Sequence, residues 1–443
     1  MLVLASASAN LGAARAQMGL SLGWHIVFAC LGVGFPALIL LAEWRGLHGD
    51  VDAMRLARRW AKVAGVLFAV GAVSGTILSF EMGLLWPGLM GTFGSVIGLP
   101  FALEGFAFFI EAIFLGIYLY AWDRLSPRVH LASGMPIAVA GVASAFFVVT
   151  ANSWMNDPQG FILTGGRVSN VHPFVAILNP ATPVQTAHMI LAAFMVTGFA
   201  VAAVYAVAVL RGRNDRYHRV GLLLPLAVAA ALTPAQIVVG DIAAREVADR
   251  QPVKLAAMEG IAHAEAGAGE HIGGVFINGS LQYALVIPHA LAFLAKGDVN
   301  ATVPGLDSVP AQDRPEAVTL IHLAFDTMVA IGFLLLGLGA WLLGSWVRRR
   351  RPPASRWFLR GAVLAGPLSV VAMECGWITT EVGRQPWIVY QVMRVSAAVN
   401  PAPGLYWGLV ALVIVYAVLT TVTITVLRRM ARTPERIPSE RAT

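Results

Sequence analysis

Nine stretches of the chain stay apolar for about twenty residues or more with almost no charge, the length a helix needs to cross a hydrocarbon core. They run at 19–42, 60–80, 100–121, 132–152, 183–210, 220–240, 317–346, 357–378 and 403–427. The polar connections between them alternate in charge. Arg45 to Lys62, Arg124 and Arg128, Arg211 to Arg219, Arg348 to Arg360 and the tail from Arg428 together hold 22 of the 31 basic residues. Basic connections stay on the cytoplasmic side, so the N-terminus is expected outside and the C-terminus in the cytoplasm. The opposite connections 81–99, 153–182 and 379–402 are short and rich in Gly and Pro, whereas 241–316 is too long for a turn. Within it the apolar patch Leu281–Ala295 predicts a short surface helix. Long loops of this kind usually carry function. The pattern predicts an all-α polytopic membrane bundle: six spans in 1–240, a polar loop in 241–316, three spans in 317–427 and a basic tail in 428–443. There is no inverted internal repeat of the transporter kind.

Composition agrees. The 443 residues are 58% apolar and 12% charged, about half the charged share of a soluble domain. Length alone would suggest three soluble domains; the hydropathy excludes them. The net charge of +7 is no nucleic-acid signature, because the basic residues are confined to particular loops. Cys30 and Cys375 both lie inside spans, which excludes a disulfide framework or a thiolate cluster. The first fourteen residues lack a positive segment and run on toward the first span, so no cleavable signal peptide is expected.

The chemistry lies in the few polar side chains inside the spans. Val371–Trp387 reads VAMECGWITTEVGRQPW and puts Glu374 one turn from the end of an apolar run. An ionisable residue in hydrocarbon marks function by default. His25, His188 and Met328 fall at similar depths in other spans, all in the expected outer half. His with Met is the usual pair for a low-spin haem, and an open-sided His or carboxylate suits a haem that binds O₂. A buried His can equally be a packing residue, and Met is a common core filler. Spacing alone leaves both readings open, although Glu374 needs a partner or a proton.

Longer strings carry a family likeness. They are Arg15-Ala-Gln with Trp24-His25; Glu104-Gly-Phe-Ala-Phe-Phe-Ile-Glu111 leading to Trp122-Asp-Arg-Leu; and Ala151-Asn-Ser-Trp-Met-Asn-Asp-Pro158. They continue with Asn179-Pro and His188, Gly240-Asp241, Gln251-Pro-Val-Lys254-Leu-Ala-Ala-Met-Glu259, and Gly376-Trp377 with Gly383-Arg384-Gln385-Pro-Trp387. Over nearly its whole length the sequence resembles subunit I of the cytochrome bd-type quinol oxidases. The resemblance implies three haems: two of type b, low-spin and high-spin, and a haem d that some members replace with haem b. His188 and Met328 would ligate the low-spin haem. His25 and Glu374 would each serve one of the two haems at the oxygen site, in an order the resemblance leaves open. Arg15 would pair with a haem propionate, as a guanidinium suits, and Trp377, Arg384, Gln385 and Trp387 would line the cofactor region. Gln251, Lys254 and Glu259 would form the quinol site, where an ammonium and a carboxylate can bind the quinol oxygens and take protons. Glu104 and Glu111, on one helix face, would carry protons inward with Asn152 nearby. Glu81 and Glu381 are left without a role. The loop is short, as in one branch of the family, and Asp326 stands where many relatives have Arg two residues before the ligating Met. That reversal would lower the low-spin haem potential.

The implied reaction is oxidation of ubiquinol or menaquinol at the outer loop, coupled to reduction of O₂ to water. Quinol protons would leave outside, and protons for oxygen would enter from the cytoplasm, so charge separates without a pump. The implied partners are a second membrane subunit, a very small single-span subunit and the lipid bilayer of a bacterial inner membrane, with no nucleic acid. Copper ligands and a two-His run are missing, which argues against a haem–copper oxidase. Two other readings compete. One is a haem-free proton-coupled transporter, which predicts broken helices at mid-membrane; the mid-span disruptors are isolated Gly and Pro residues, such as Pro36 and Pro234. The other is a haem b quinol dehydrogenase without an oxygen site, which leaves His25 and Glu374 idle.

Overall fold

The apolar stretches become helices that overrun the hydropathy pattern at one or both ends. The computed structural model describes residues 2–432, so the basic tail expected over 428–443 lies mostly outside the described residues. The long helices are α1 (Leu2–Leu47), α2 (Val51–Leu85), α3 (Pro87–Tyr120) and α4 (Pro127–Asn156); then, after the short α5 (Pro173–Ile177), come α6 (Thr182–Leu210) and α7 (Arg216–Arg250). The short α8 (Pro252–Met258) and α9 (Ala290–Lys296) precede α10 (Val318–Arg349) and α11 (Arg356–Gly383), and α12 (Val395–Ala398) precedes α13 (Leu405–Arg432). Among the described residues nine helices are long and apolar enough to cross a membrane, as expected.

The overruns have local causes. Residues 81–99, expected to be a connection, are helical but for Trp86; Pro87 starts a new helix at a position where its missing N–H costs nothing. The first ten residues assigned to the long loop continue α7, held by the i,i+4 pairs Asp241–Arg245 and Glu246–Arg250. With these boundaries His25 lies 23 residues into α1, and Glu104 lies midway along α3.

The loop from Gln251 is a set of nested antiparallel pairs. Strands β1 (Ile162–Thr164) and β2 (Arg167–Ser169) form a separate hairpin after α4. In the loop itself β3 (Glu265–Ala266), β4 (Glu270–Ile272) and β5 (Val275–Ile277) pair in reverse order with β6 (Ser280–Gln282), β7 (Leu285–Ile287) and β8 (Thr302–Val303), β5 with β6 innermost. The surface helix expected over Leu281–Ala295 is therefore wrong in its first half. Leu285-Val286-Ile287 is strand-forming and pairs with β4, and the helix starts only after Pro288. A last pair, β9 (Trp387–Val389) and β10 (Met393–Arg394), follows α11.

α1 is the central helix and packs on α2, α4, α6 and α13. One apolar core, including Phe35, Leu38, Trp60, Phe199 and Phe358, fills the end of the bundle near the basic connections. A smaller one, Ile26, Cys30, Val196 and Met373 with Trp377 against it, lies beside the candidate donors. The basic connections gather at one end: Asp50 accepts from both Arg45 and Arg216, and Arg58 pairs with Asp123. Large apolar side chains such as Phe80, Phe106, Phe109 and Phe333 face outward, as a helix surface in contact with lipid or another subunit requires.

Candidate functional site

Each of the four candidate donors rests against a glycine of a neighbouring helix. A Cβ on Gly240 of α7 would stand 3.3 Å from His188 Cε1, and one on Gly376 of α11 would stand 3.1 Å from Met328 Sδ. A Cβ on Gly23 of α1 would be 3.4 Å from Glu374 Oε2, and one on Gly75 of α2 would be 3.0 Å from His25 Cε1. His25 Nδ1 is fixed by Ser74 Oγ at 2.8 Å. Gln236 Nε2 lies 3.3 and 3.2 Å from the two ring nitrogens of His188. Ser74, Gln236 and the glycines were not singled out from the sequence as partners of the donors. An isolated glycine in an apolar helix is the one available sign, since it marks close approach.

Levels can be compared across helices. Arg15 Nη2 donates to Gln385 Oε1 at 2.7 Å. His25 lies ten residues along α1 from Arg15, and Glu374 eleven residues before Gln385. At 1.5 Å rise per residue the two donors therefore share a depth, which the contact of Gly23 with Glu374 reflects. Arg15 Nε is buried without a hydrogen bond, as are Nε and Nη1 of Arg384, a residue only 2% exposed. Buried guanidinium edges of this kind fit carboxylates such as haem propionates. Imidazole, thioether and carboxylate donors standing singly suit an iron whose in-plane ligands come from a macrocycle. Among the described residues no three His, Cys, Asp or Glu side chains converge as a site for a bare ion. The residues fit haem.

A second centre lies where the loop meets the ends of α4 and α11. Lys254 is buried, and its Nζ donates to Asn156 Oδ1 at 2.7 Å. Gln251 Nε2 donates to the Asn156 carbonyl at 2.8 Å. Burial, helped by Arg384 and opposed by Glu381, brings the Lys254 ammonium down to about 7. Glu259 is also buried, with Oε2 unpaired, and burial pushes its carboxyl well above the usual range. Lys254 borders a cavity of about 170 Å³ together with Asp313, Arg384, Gln385, Trp387 and Tyr390. Arg394 holds two of the lining residues, stacking over the Trp387 ring at 4.8 Å and pairing with Asp313.

The remaining acids divide by helix. Glu111 on α3 is buried between Gly32 of α1 and Gly141 of α4, and Glu104 is half-buried two turns away on the same face. On α11, Glu381 accepts from Asn152 Nδ2 and from Arg384 Nη2, the latter at 2.5 Å. Asn152 thus meets Glu381 rather than the α3 acids.

The chain is similar to known proteins over nearly its whole length. Residues 13–435 match the family of cytochrome bd terminal oxidase subunit I. The chain is 39% identical to a chain of the bd oxidase structure from Geobacillus thermodenitrificans, with a TM-score of 0.91, covering 96% of this chain and 99% of that one. A Bacillus subtilis (strain 168) protein provisionally named cytochrome bd menaquinol oxidase subunit I is 35% identical, over 94% of this chain and 95% of its own length. Cytochrome bd ubiquinol oxidase subunit 1 of the same organism is 29% identical, over 92% of this chain and 90% of its own.

Proposed function

The chain belongs to the cytochrome bd terminal oxidase subunit I family, and from that premise we infer a terminal quinol oxidase subunit that carries haem, oxidises membrane quinol and reduces O₂. It is a multi-pass protein of a bacterial inner membrane and works with a subunit II. The basic connections gathered at one end support a cytoplasmic C-terminus and an outer loop. A very small single-span subunit and bound lipid complete the proposed assembly. The two competing readings are not favoured, because the oxidase family matches residues 13–435 and the bd oxidase fold covers 96% of the chain.

The observation that carries the site reading is the four donors seated on four glycines. His188 and Met328 are proposed to hold the low-spin haem b. His25 and Glu374 are proposed as donors to the two haems at the oxygen site, one a high-spin haem b and the other haem d or a haem b in its place. When bound, the haems supply electron transfer and the iron that meets O₂. The chain's own residues do the rest. Ser74 fixes the His25 tautomer, Lys254 and Glu259 bind quinol and take its protons, and Glu111 and Glu104 pass protons through the α3 face.

One observation favours a second assignment of the carboxylate donor. Ligating carboxylates are themselves hydrogen-bonded, and on α11 it is Glu381, held by Asn152 and Arg384, that meets this condition. In that reading Glu374 carries protons. Difference spectra of the assembled oxidase carrying Glu374→Ala or Glu381→Ala decide it, because only loss of the true donor removes a high-spin haem signal. If the wild-type complex holds no haem, or oxidises no quinol, the functional reading fails.

A further inference from the structure

Beneath the loop, His322 of α10 is fully buried, and both its ring nitrogens face carbonyl oxygens: Nδ1 is 2.6 Å from Met258 O, and Nε2 is 2.8 Å from Gly273 O. The ring thus bridges two backbone carbonyls from different parts of the loop. Asp326, one turn along, lies 3.6 Å from Nε2 and accepts the Gly273 N–H at 2.6 Å. His322 therefore pins two points of the loop at once: the residue before Glu259 and the turn after β4.

Glu259 and Glu270 are drawn together by this clamp. The Glu259 carbonyl accepts from His271 Nδ1 at 2.9 Å, which brings β4 and its Glu270 against Glu259. Glu259 is 3% exposed with Oε2 unpaired, whereas Glu270 is only half-buried. Glu270 is faced by Glu259 from the segment after α8 and by Asp326 and His322 from α10. Burial and Asp326 raise its carboxyl to about 7, with His322 opposing, so it can both take and give a proton near neutral pH.

We propose that Glu270 is the proton exit of the quinol chamber, taking protons from Glu259 and passing them to outside water, with His322 as the positioning residue that holds the two acids together. The proposal rests on the reading of Lys254 and Glu259 as the quinol site. Oxidation of one quinol breaks two O–H bonds. Two electrons leave toward the haem side, O₂ being the final oxidant, and two protons must leave through the loop. A buried carboxylate holds one proton at a time, so Glu259 has to unload between the two.

The test uses the purified, haem-loaded complex. Glu270→Ala should cut quinol-driven O₂ uptake roughly tenfold, leaving the quinol KM and the haem difference spectrum unchanged. Added acetate, a small proton-carrying carboxylate, should restore much of the rate. His322→Phe, which donates to neither carbonyl, should instead raise the quinol KM. A Glu270→Ala complex with the wild-type rate, or a slow one that acetate does not rescue, overturns the proposal. If Lys254→Gln and Glu259→Gln leave quinol KM and turnover unchanged, the chamber itself is misassigned, a separate failure.

Discussion

Arg15 near the start of the described α1 side chains donates from Nη2 to Gln385 Oε1, joining positions 370 residues apart at 2.7 Å. That bond ties α1, which carries His25, to the segment just after α11, the helix that carries Glu374. Arg15→Ala should lower the content of oxygen-site haem while sparing the His188/Met328 haem. Haem quantification on the purified complex checks it, and equal loss of all haems would contradict it.

The glycine seats predict a graded series. Gly376→Ala places a methyl 3.1 Å from Met328 Sδ, and Gly75→Ala one 3.0 Å from His25 Cε1. Overpacking of this kind costs about 1–3 kcal/mol. The first change should perturb only the low-spin haem band and the second only the oxygen-site bands. His188→Ala or Met328→Ala should remove the low-spin band altogether, and an unchanged spectrum would refute the pairing.

Asn156 accepts from Lys254 and Gln251 together. Removing its side chain in Asn156→Ala leaves the buried Lys254 Nζ without its acceptor, at about 1–3 kcal/mol. The quinol KM should rise while the haem spectra stay as they are. Steady-state kinetics with a soluble quinol analogue measures this.

Lys254 also gives a pH dependence of known sign. Its folded pKa, about 7, lies below the ordinary 10.5, so between those values the unfolded chain binds more protons and stability from this group rises with pH. The gain is complete above about 10.5 and absent below about 7. The difference in melting temperature between wild type and Lys254→Met should therefore favour the wild type more at pH 9 than at pH 6.5. A difference that does not change with pH would place the ammonium in water.

Glu111→Gln should slow O₂ reduction while quinol still reduces the low-spin haem. Stopped-flow spectroscopy separates the two steps. Equal slowing of both would remove Glu111 from the proton route.

Hydropathy made the nine spans legible, because only length and the absence of charge are needed to mark them. Their ends were not legible. Polar turns such as Asp241–Arg250 stay helical through i,i+4 pairs, which a hydrophobicity window cannot register. The candidate donors His25, His188, Met328 and Glu374 stood out as polar or soft residues in apolar surroundings. The partners that fix them did not, since Ser74 and Gln236 are unremarkable until the fold sets them beside an imidazole. The loop strands escaped for a related reason: a three-residue strand such as Leu285–Ile287 is defined by what pairs with it, and that partner lies thirteen or more residues away.

The final turn of α4 holds Asn152 and Asn156 four residues apart, one reaching the acid on α11 and the other the lysine of the loop. A single helical turn is thus the shared mount for two chemical addresses. A tilt of that turn, whether from a guest in the loop or from altered packing lower in the bundle, would be transmitted to both at once, as a rigid yoke moves two arms.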